Sequence, residues 1–451
     1  MTVVPLIEDA SGFRGEADAV YAPESESDLL ELLRVAVTQR TPVTVMGART
    51  GVAGGCVPER GWAISLEKFR RVEIRSGAAV TGAGVILRDL QSAASQTGQF
   101  YPPDPTETSS SIGGNIATNA SGSRSFLYGD TRRSVRRLRV VLLDGRVLDL
   151  GRGEPVPFEV PSLERPRTTK FSCGFDLRPG MDYLDLFIGS EGAIGIITEA
   201  VVTLLPIPAS ILSGVVFFGR SAALDAVDLW RNVPGLRMLE YMDGPSLDLL
   251  RSRGFDIPED AAEALLIETV DPDVDAWVDR LDAVGALSEE SWFGTTAADR
   301  ERFRIFRHAL PEAVNETVRR RGFQKMGTDF AVPLANNREM MRIYSELLGR
   351  EFPGDYVIFG HIGDAHVHVN LLPRDQAAVE RGRLLIREFA RIAVSLGGVV
   401  AAEHGLGKRK RDLLALQWNP EQMAAMRAIK NRFDPRWLLG AGTLFAHPGA
   451  P

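Results

Sequence analysis

The sequence predicts an α+β protein of two domains, because the chain is long and its pattern changes near Pro206. A chain of 451 residues exceeds the size at which a single hydrophobic core stops growing. Beyond Pro206, β-runs alternate with amphipathic helical patterns, at 212–218, 222–230, 264–269 and 273–284. This alternation indicates an antiparallel sheet with helices packed against it. We therefore expect an N-terminal domain at 1–206 and a C-terminal domain at 207–451, joined by a linker at 204–208.

Composition and charge indicate an ordinary globular protein of a reducing compartment. Hydrophobic residues make up 44% and charged residues 25% of the chain, which supports a sizeable core. The net charge of −7 argues against a general binder of nucleic acid or of anionic membranes. Cys56 and Cys173 are too few for a disulfide framework or a four-cysteine iron–sulfur cluster. Because there is no basic-then-apolar start and no apolar stretch near ~18 residues, we expect a cytoplasmic protein without a membrane span.

The first elements of the chain lead into a glycine-rich loop. Ser25 and the acidic residues beside it predict the start of a helix whose apolar face begins at Leu29. A buried β-run at 42–46 then feeds directly into the sequence GARTGVAGG at 47–55. Four glycines in nine residues let the backbone approach a ligand, and consecutive N–H groups in such a loop bind phosphate oxygens. The loop matches neither G-x-G-x-x-G nor the P-loop, and alone it fits a plain connector equally well.

Two further segments make the glycine loop informative. The sequence YPPDPTETSSSIGGNIATNASG lies at 101–122, and DLFIGSEGAIGIITE lies at 185–199. Together with the first loop they closely resemble the FAD-binding domain of the vanillyl-alcohol-oxidase type, also called the PCMH type. The resemblance implies the following cofactor contacts: Gly47, Ala48, Arg49, Thr50 and Gly51 at the diphosphate, Gly113, Gly114, Thr118 and Asn119 along the cofactor, and the backbone of Gly192 and Ile197 near the adenine. Because no histidine precedes His308, no histidine of this domain can tether the flavin, and we expect non-covalent FAD.

The C-terminal half contains a concentration of histidines. Three of the six histidines fall within FGHIGDAHVHVN, which starts at Phe359. Apolar β-runs separated by a Gly/Asp connection predict a hairpin with strands at 356–361 and 366–372. Side chains two apart share one face of a strand, so His366, His368 and Asn370 project together. His361 lies close by on the partner strand.

A carboxylate for a metal site comes from a second motif. The sequence GVVAAEHGLGK at 398–408 predicts a β-run that breaks at glycines, which places Glu403 and His404 at a strand end. Imidazole and carboxylate groups are typical ligands of divalent transition metals. We therefore expect a divalent ion, zinc or else manganese, held by His361, His368 and Glu403. The alternative for any single histidine is a satisfied residue of the core.

The runs GHIGDAHVHVN, EHGLGK and KNRFDP resemble the C-terminal half of the FAD-linked 2-hydroxyacid dehydrogenases. This group contains D-lactate dehydrogenases, D-2-hydroxyglutarate dehydrogenases and the flavin subunit of glycolate oxidase. The resemblance implies oxidation of a D-2-hydroxy acid of the D-lactate, D-2-hydroxyglutarate or glycolate class, with hydride passing to flavin N5 and His404 as the base. It assigns the substrate carboxylate to Arg307, on a helix expected from Phe303, and to Lys325. Asn370 is a further substrate contact or ligand, and His366 either binds the ion or supports its ligands.

Two departures from the family pattern leave the substrate open. Family members commonly carry Gly-Asn where this chain has Ala365 and His366. They also commonly end with FDPxxxLNPGK, whereas this chain reads FDPRWLLGAGT from Phe433, which removes an asparagine near the flavin. By the same resemblance, the last ~45 residues pack back near the flavin.

The resemblance also implies an external electron acceptor: a quinone, a cytochrome, an electron-transfer flavoprotein or an iron–sulfur subunit. No nucleic-acid partner is expected, whereas a homodimer and peripheral attachment at the inner membrane stay open. Three other functions compete. They are a flavin subunit that works only inside a glycolate-oxidase-like complex, a redox-neutral flavoenzyme like the alkylglycerone-phosphate synthases, and a flavin-free metallohydrolase, which the two glycine segments argue against.

Overall fold

The computed structural model describes residues 5–219 and 222–447, and all elements and contacts below belong to these two ranges. The strands are β1 (Leu6–Glu8), β2 (Arg14–Glu16), β3 (Ala19–Tyr21), β4 (Val43–Met46), β5 (Trp62–Ser65), β6 (Val72–Arg75), β7 (Ala78–Gly82), β8 (Gln99–Phe100), β9 (Val135–Val141), β10 (Val147–Gly151), β11 (Ile196–Thr203), β12 (Leu205–Pro206), β13 (Ile211–Phe218), β14 (Leu236–Met242), β15 (Glu263–Val270), β16 (Trp292–Gly294), β17 (Met326–Gly327), β18 (Tyr356–Gly360) and β19 (His368–Leu371). The helices are α1 (Glu26–Gln39), α2 (Leu87–Ser95), α3 (Ile112–Thr118), α4 (Ser125–Tyr128), α5 (Thr131–Ser134), α6 (Ala223–Trp230), α7 (Gly244–Arg251), α8 (Val274–Ala283), α9 (Ala297–Arg320), α10 (Asn337–Glu351), α11 (Gln376–Ser395), α12 (Leu414–Gln417) and α13 (Pro420–Phe433). Short 3₁₀ segments occur at Tyr183–Leu186, Leu334–Asn336, Ile362–Asp364 and Arg411–Leu413. None of the helices in the described ranges has the length and apolar character needed to cross a membrane.

The N-terminal part is built on two main sheets. β10, β9, β11, β7 and β6 form, in this order, a five-stranded antiparallel sheet. β3, β5 and β4 form a parallel sheet, and α1 buries Leu29 and Leu33 in the same core as Val43 of β4. As the sequence predicts, the Ser25 side chain accepts the N–H of Asp28, whose carboxylate in turn accepts the N–H of Ser25. The predicted first helix and the β-run before the glycine loop are therefore confirmed.

The C-terminal part contains one seven-stranded antiparallel sheet in the order β16, β13, β15, β14, β18, β19 and β17. This confirms the predicted sheet class. The predicted hairpin is formed by β18 and β19, in which Ile358 lies opposite Val369 and Phe359 opposite His368. The helices α7 and α9 pack against this sheet through an apolar cluster that includes Phe359. The sheet thus gives the histidine-bearing hairpin a rigid, buried base.

The predicted β-run at 398–408 is not a strand. Val399 exchanges two backbone hydrogen bonds with Ala331, at 2.8 and 3.2 Å, as an isolated bridge. The N–H of Val400 donates to the side chain of Gln417 at 3.0 Å, and the next backbone hydrogen bond between the two segments, from Ala402 to the carbonyl of Asp329 at 2.9 Å, is displaced by one residue from a regular ladder. The site residues that follow are therefore held by a loop and its tertiary contacts instead of by a strand end.

Two boundaries also differ from the sequence prediction. The helix expected from Phe303 begins at Ala297, because Thr296 caps it and Asp299 completes the capping box. The Thr-x-x-Asp pattern of this capping box is present in the sequence. The expected linker at 204–208 contains the short strand β12, which pairs with β8.

Buried polar contacts join the parts of the chain before and after Pro206. Arg124, next to α4, pairs with Glu268 of β15 at 2.9 Å. Near the C-terminus, Lys430 of α13 donates to the carbonyl of Ala193 at 2.7 Å. These contacts bring the glycine-rich segments against the face of the C-terminal sheet that carries the histidines.

Candidate active site between the glycine loop and the histidine hairpin

The loop after β4 presents free backbone donors to an open cavity. Arg49 adopts a left-handed conformation with φ of 60°. Within the described residues, the N–H groups of Arg49, Thr50, Gly51 and Val52 donate to no protein acceptor, and all four residues line the cavity. Consecutive free N–H groups bind anionic oxygens, so this loop suits the diphosphate that the sequence predicts here.

The glycines around this cavity are required for two different reasons. A Cβ on Gly47 would lie 2.3 Å from Oγ of Ser111, and one on Gly113 would lie 2.6 Å from Cβ of Ala83. These two glycines allow the loop and α3 to pack closely. A Cβ on Gly51 would meet no protein atom within 4 Å. The absence of a side chain at Gly51 therefore matters for what enters the cavity rather than for packing of the protein.

The cavity extends from the glycine loop to the loop that carries Glu403 and His404. Its wall includes the other predicted cofactor contacts Gly47, Ala48, Gly113, Gly114, Thr118, Gly192 and Ile197. Glu403 and His404 also line it, so a cofactor in this cavity reaches the predicted catalytic residues. This continuity fits an elongated dinucleotide with its reactive end toward the hairpin.

Asn119, also predicted to lie along the cofactor, directs its side chain into the protein. It is 2% exposed, and its amide donates to the carboxylate of Asp130 at 2.8 Å and to the carbonyl of Phe171 at 3.1 Å. Its side-chain oxygen accepts the N–H of Arg132 at 2.9 Å. Asn119 therefore ends α3 and ties it to neighbouring loops, with its polar atoms engaged inside the protein.

Glu403 lies at the centre of a cluster of buried ionisable side chains. Its Oε1 is 3.3 Å from Nε2 of His361 and 3.2 Å from Nε2 of His368. Its Oε2 accepts hydrogen bonds from Nζ of Lys170 and Oγ of Ser121, both at 3.1 Å. Burial alone would raise the pKa of Glu403, but the charges of Lys170 and His361 hold it well below its usual range. The three residues predicted to bind the metal thus lie together, with the ionised carboxylate of Glu403 between the two imidazoles.

In His361 and His368, the Nδ1 atom is held by another protein group, and this determines which nitrogen faces Glu403. Nδ1 of His368 donates to the carbonyl of Thr328 at 3.1 Å, because a carbonyl can only accept. Nδ1 of His361 makes a short hydrogen bond with the carboxylate of Glu240. Burial would lower the pKa of His361, but the Glu240 charge overrides this and raises it to about 9. In each ring, Nε2 is therefore the nitrogen directed at Glu403.

This arrangement fits a divalent ion. In a neutral His368 the Nε2 lone pair would face a carboxylate oxygen, and the two repel unless a cation or a proton lies between them. Two ligands of one ion at ~2.0–2.2 Å stand about 3.0–3.5 Å apart. The Nε2–Oε1 separations of 3.2 and 3.3 Å fall in that range. Carboxylate support of a ligating histidine, as Glu240 gives His361, is also usual at metal sites.

His404 stands at the edge of the cluster, facing the cavity. Its ring stacks on His368, with centroids 5.4 Å apart. Asp329 accepts the backbone N–H of His404 at 2.9 Å and lies 3.4 Å from its Nδ1. Although the side chain is 34% exposed, burial in the crowded cleft lowers the pKa of His404 to about 4, against the opposing carboxylates of Asp329 and Glu403. This is lower than the near-neutral value that the sequence suggested, and the imidazole is neutral at pH 7.

His366 is fully buried beside the two predicted ligands. Its ring centroid lies 5.4 Å from that of His361 and 4.6 Å from that of His368. Nε2 of His366 is 3.1 Å from Oδ1 of Asp329. Burial lowers the pKa of His366 to about 3, so this ring is also neutral at pH 7.

Arg307 does not act as a free cation. Its side chain is 12% exposed, and it donates from Nε and Nη2 to Oε2 of Glu240 at 2.8 Å. Its Nη1 donates to the hydroxyl of Thr106 at 3.2 Å. The charge of Arg307 thus supports Glu240, which in turn holds His361, and its role as a carboxylate anchor stays a prediction.

The side chains of Lys325 and Asn370 both lie close to Gly327 of β17. A Cβ on Gly327 would lie 3.1 Å from Oδ1 of Asn370 and 3.6 Å from Cε of Lys325. Among the described residues, Oδ1 of the fully buried Asn370 has no hydrogen-bond partner, and the exposed Lys325 has no ion-pair partner. Desolvation by neighbouring groups and the nearby charge of Lys410 lower the pKa of Lys325 to about 8. Lys325 remains a cation at pH 7.

Sequence reasoning missed three residues that hold the cluster together: Lys170, Glu240 and Asp329. Lys170 is 1% exposed and also donates to the carbonyl of Gly122 at 3.1 Å, but nothing in its sequence neighbourhood signals this role. Glu240 is the single acid in the buried run LRMLEYM of β14, and a carboxylate in such a run indicates a buried partner. Asp329 lies in the DFAVP run next to Lys325, where only the lysine drew attention.

Two known families match this chain. Residues 17–151 match the family described as FAD binding domain, and residues 208–444 match the family described as FAD linked oxidases, C-terminal domain. The second match alone spans more than half of the chain.

Whole-chain relatives agree with these matches. Glycolate oxidase subunit GlcD of Bacillus subtilis is 30% identical over 456 residues, which cover 96% of this chain and 90% of the relative. D-lactate dehydrogenase of Archaeoglobus fulgidus is 31% identical, with coverages of 94% and 90%, and D-2-hydroxyglutarate dehydrogenase of Xanthomonas citri is 29% identical, with 96% and 90%. A solved alkyldihydroxyacetonephosphate synthase superposes with a TM-score of 0.67 at 17% identity, covering 95% of this chain and 76% of that one. This last similarity confirms the fold and carries no information on activity.

Replacing Gly51 with valine is expected to lower FAD retention without lowering stability. The new side chain enters open space in the protein but covers the free N–H groups of the loop. Losing one or two hydrogen bonds to a charged group costs about 1.5–3 kcal/mol each, so we expect FAD to bind at least about tenfold more weakly. The ratio of flavin to protein absorbance measures retention, and thermal unfolding of FAD-free protein measures stability.

Gly349→Val is the matched control for this change. Gly349 is exposed on α10, and a Cβ there also meets no atom within 4 Å. Equal flavin content in the two variants would show that the 47–51 loop does not approach the diphosphate.

Proposed function

This chain belongs to the FAD-linked oxidases, and we propose that it oxidises a D-2-hydroxy acid to the 2-oxo acid with the help of a divalent metal ion. It is an FAD-dependent oxidoreductase acting on 2-hydroxy acids. The D configuration is proposed because two of the relatives are named for D-lactate and D-2-hydroxyglutarate. D-lactate, D-2-hydroxyglutarate and glycolate are the substrate classes under consideration.

The position of Glu403 carries the metal part of the proposal. Its Oε1 faces Nε2 of both His361 and His368 at separations suited to a shared ion. The opposite nitrogens of both rings are held by protein groups, so the two Nε2 atoms have fixed directions. We propose zinc or manganese as the ion, because mixed nitrogen and oxygen donors suit both.

The chain's own residues supply the acid–base chemistry. Bound FAD accepts a hydride, and a bound divalent ion lowers the pKa of a coordinated hydroxyl. His404 is neutral and lines the cavity, so it can accept the hydroxyl proton. Because Nδ1 of His404 faces Asp329, Nε2 is the nitrogen left to take that proton. The carboxylate of Asp329 then stabilises the imidazolium, as in a catalytic Asp–His pair.

Lys325 and Arg307 are the proposed anchors of the substrate carboxylate. Lys325 is exposed, and its Cε and Oδ1 of Asn370 both lie within 4 Å of the position that a Cβ on Gly327 would take. Asn370 lies two residues after His368 on β19. The free oxygen of Asn370 adds a polar contact at the same place. Arg307 holds Glu240 through Nε and Nη2, which leaves its Nη1, now donating to Thr106 of the cavity wall, for a ligand.

The electrons are proposed to leave the flavin for an external acceptor: a quinone, a cytochrome, an electron-transfer flavoprotein or an iron–sulfur subunit. One relative is named as a subunit of glycolate oxidase, which favours a second possibility, a flavin subunit that turns over only within a complex. The two possibilities differ in one observation. A self-sufficient dehydrogenase turns over with a soluble dye, whereas a dependent subunit is reduced by substrate but does not turn over with the dye.

An anaerobic flavin-bleaching screen tests the reaction class. Purified protein is mixed with D- and L-lactate, glycolate, D- and L-malate, and D- and L-2-hydroxyglutarate, and flavin absorbance is followed. We expect bleaching by at least one D-2-hydroxy acid or glycolate, and slower bleaching by the L enantiomer where one exists. A flavin that no hydroxy acid bleaches would instead indicate redox-neutral chemistry.

Variants at two histidines separate the base from the metal ligands. His404→Asn is expected to keep bound metal and FAD. Its rate of flavin reduction by substrate should fall by a factor on the order of 10²–10⁴, because general base catalysis is lost. His368→Ala is expected to lose metal as well as rate, with partial recovery in excess ion. Metal content by elemental analysis and single-turnover flavin reduction give the two readouts. Loss of metal in His404→Asn, or retention of both metal and rate in His368→Ala, contradicts this division of roles.

A further inference from the structure

We infer that His366 is a fourth protein ligand of the divalent ion, in addition to the two histidines and the glutamate proposed above. This inference rests on the metal site of the proposed function. It adds a ligand and thereby changes the coordination number that the site requires.

His366 is buried without a hydrogen bond, which is unusual for an imidazole. Its exposed fraction is 0%, and within the described parts of the chain neither ring nitrogen has a hydrogen-bond partner. Nε2 comes within 3.1 Å of Oδ1 of Asp329, but from a direction that makes no hydrogen bond. A buried polar group left in this state indicates an additional ligand or ion beside it.

The position of His366 allows it to share one ion with the other donors. One ligand atom each of His361, His366, His368 and Glu403 lies within 4.8 Å of all the others. In an octahedral site with bonds of ~2.1 Å, adjacent donors lie about 3.0 Å apart and opposite donors about 4.2 Å apart. Small side-chain shifts therefore bring all four donors to one ion.

A fourth protein ligand changes which ion suits the site. Four protein donors complete a tetrahedron, whereas catalytic zinc sites keep three protein ligands and leave one position open. The proposed reaction needs at least one further position for the substrate hydroxyl. The ion must then be five- or six-coordinate, which favours Mn²⁺, Fe²⁺ or Co²⁺ over four-coordinate Zn²⁺.

The backbone around His366 does not depend on this side chain. Ala365 adopts a left-handed conformation with φ of 50°, and the N–H of His366 donates to the carbonyl of His361 at 3.2 Å. The 2-hydroxyacid dehydrogenase pattern has Gly-Asn at these two positions. Both residue pairs therefore suit the same turn, and His366→Asn should fold while removing the imidazole.

Counting coordinated histidines tests the inference directly. Full-length protein with FAD is stripped of metal, loaded with Mn²⁺ alone and examined by pulsed EPR, which detects imidazole nitrogens bound to the ion. We expect three histidines in the unchanged protein, two in His366→Asn and three in the control His404→Asn. Mn²⁺ affinity, measured by titration, should fall at least about tenfold in His366→Asn.

The outcomes separate this inference from the proposed function. Two coordinated histidines in both the unchanged protein and His366→Asn would overturn the fourth ligand and leave the three-ligand site standing. A protein that binds no divalent ion would overturn the fourth ligand together with the metal part of the proposed function. A loss of one histidine in His366→Asn, but not in His404→Asn, is the result that supports it.

Discussion

A buried carboxylate at Glu403 has to be balanced by positive charge, and this requirement links the two halves of the molecule. Glu403 is 8% exposed, and a lone carboxylate at that depth would be strongly destabilising. Lys170 approaches it from the N-terminal part, while His361 and His368 approach it from the hairpin. The flavin-side segments and the histidine sheet are therefore held together at the place where chemistry is proposed. Removing Glu403 would take away the nearest carboxylate of the buried Lys170, leaving it Asp364 at 3.7 Å, and would leave an incomplete metal site.

A series of side-chain contacts, beginning at His361, holds the ligands around Glu403 in place. His361 is held by Glu240, Glu240 is paired with Arg307, and Arg307 reaches back to Thr106 at 3.2 Å. This series of contacts runs from the hairpin through β14 and α9 to the segment at 101–122, which contains Thr106. A ligand held at both ends in this way has one available direction for its Nε2, which is what binding of an ion in a fixed position requires.

Local signals allowed the fold class, the first helix, the glycine loop and the hairpin to be predicted from sequence. Each depends on residues close together in the chain, such as the cap at Ser25 or the alternation around His368. The supporting contacts were not predictable in this way, because 233 residues separate Lys170 from Glu403 and 121 separate Glu240 from His361. Arg307 is an example. In the sequence it resembles a free cation, and only the structure reveals that it is paired with a buried glutamate, Glu240.

Reduction of bound flavin in protein with and without the divalent ion tests the central claim most directly. Metal is removed with a chelator from protein that keeps its full FAD content, and single-turnover bleaching by the active hydroxy acid is followed before and after the ion is restored. The account predicts at least a roughly hundredfold slower bleaching without the ion, because several kcal/mol of hydroxyl activation are lost, and recovery when Mn²⁺ or Zn²⁺ is added back. Equal bleaching rates in metal-free and metal-loaded protein would contradict it.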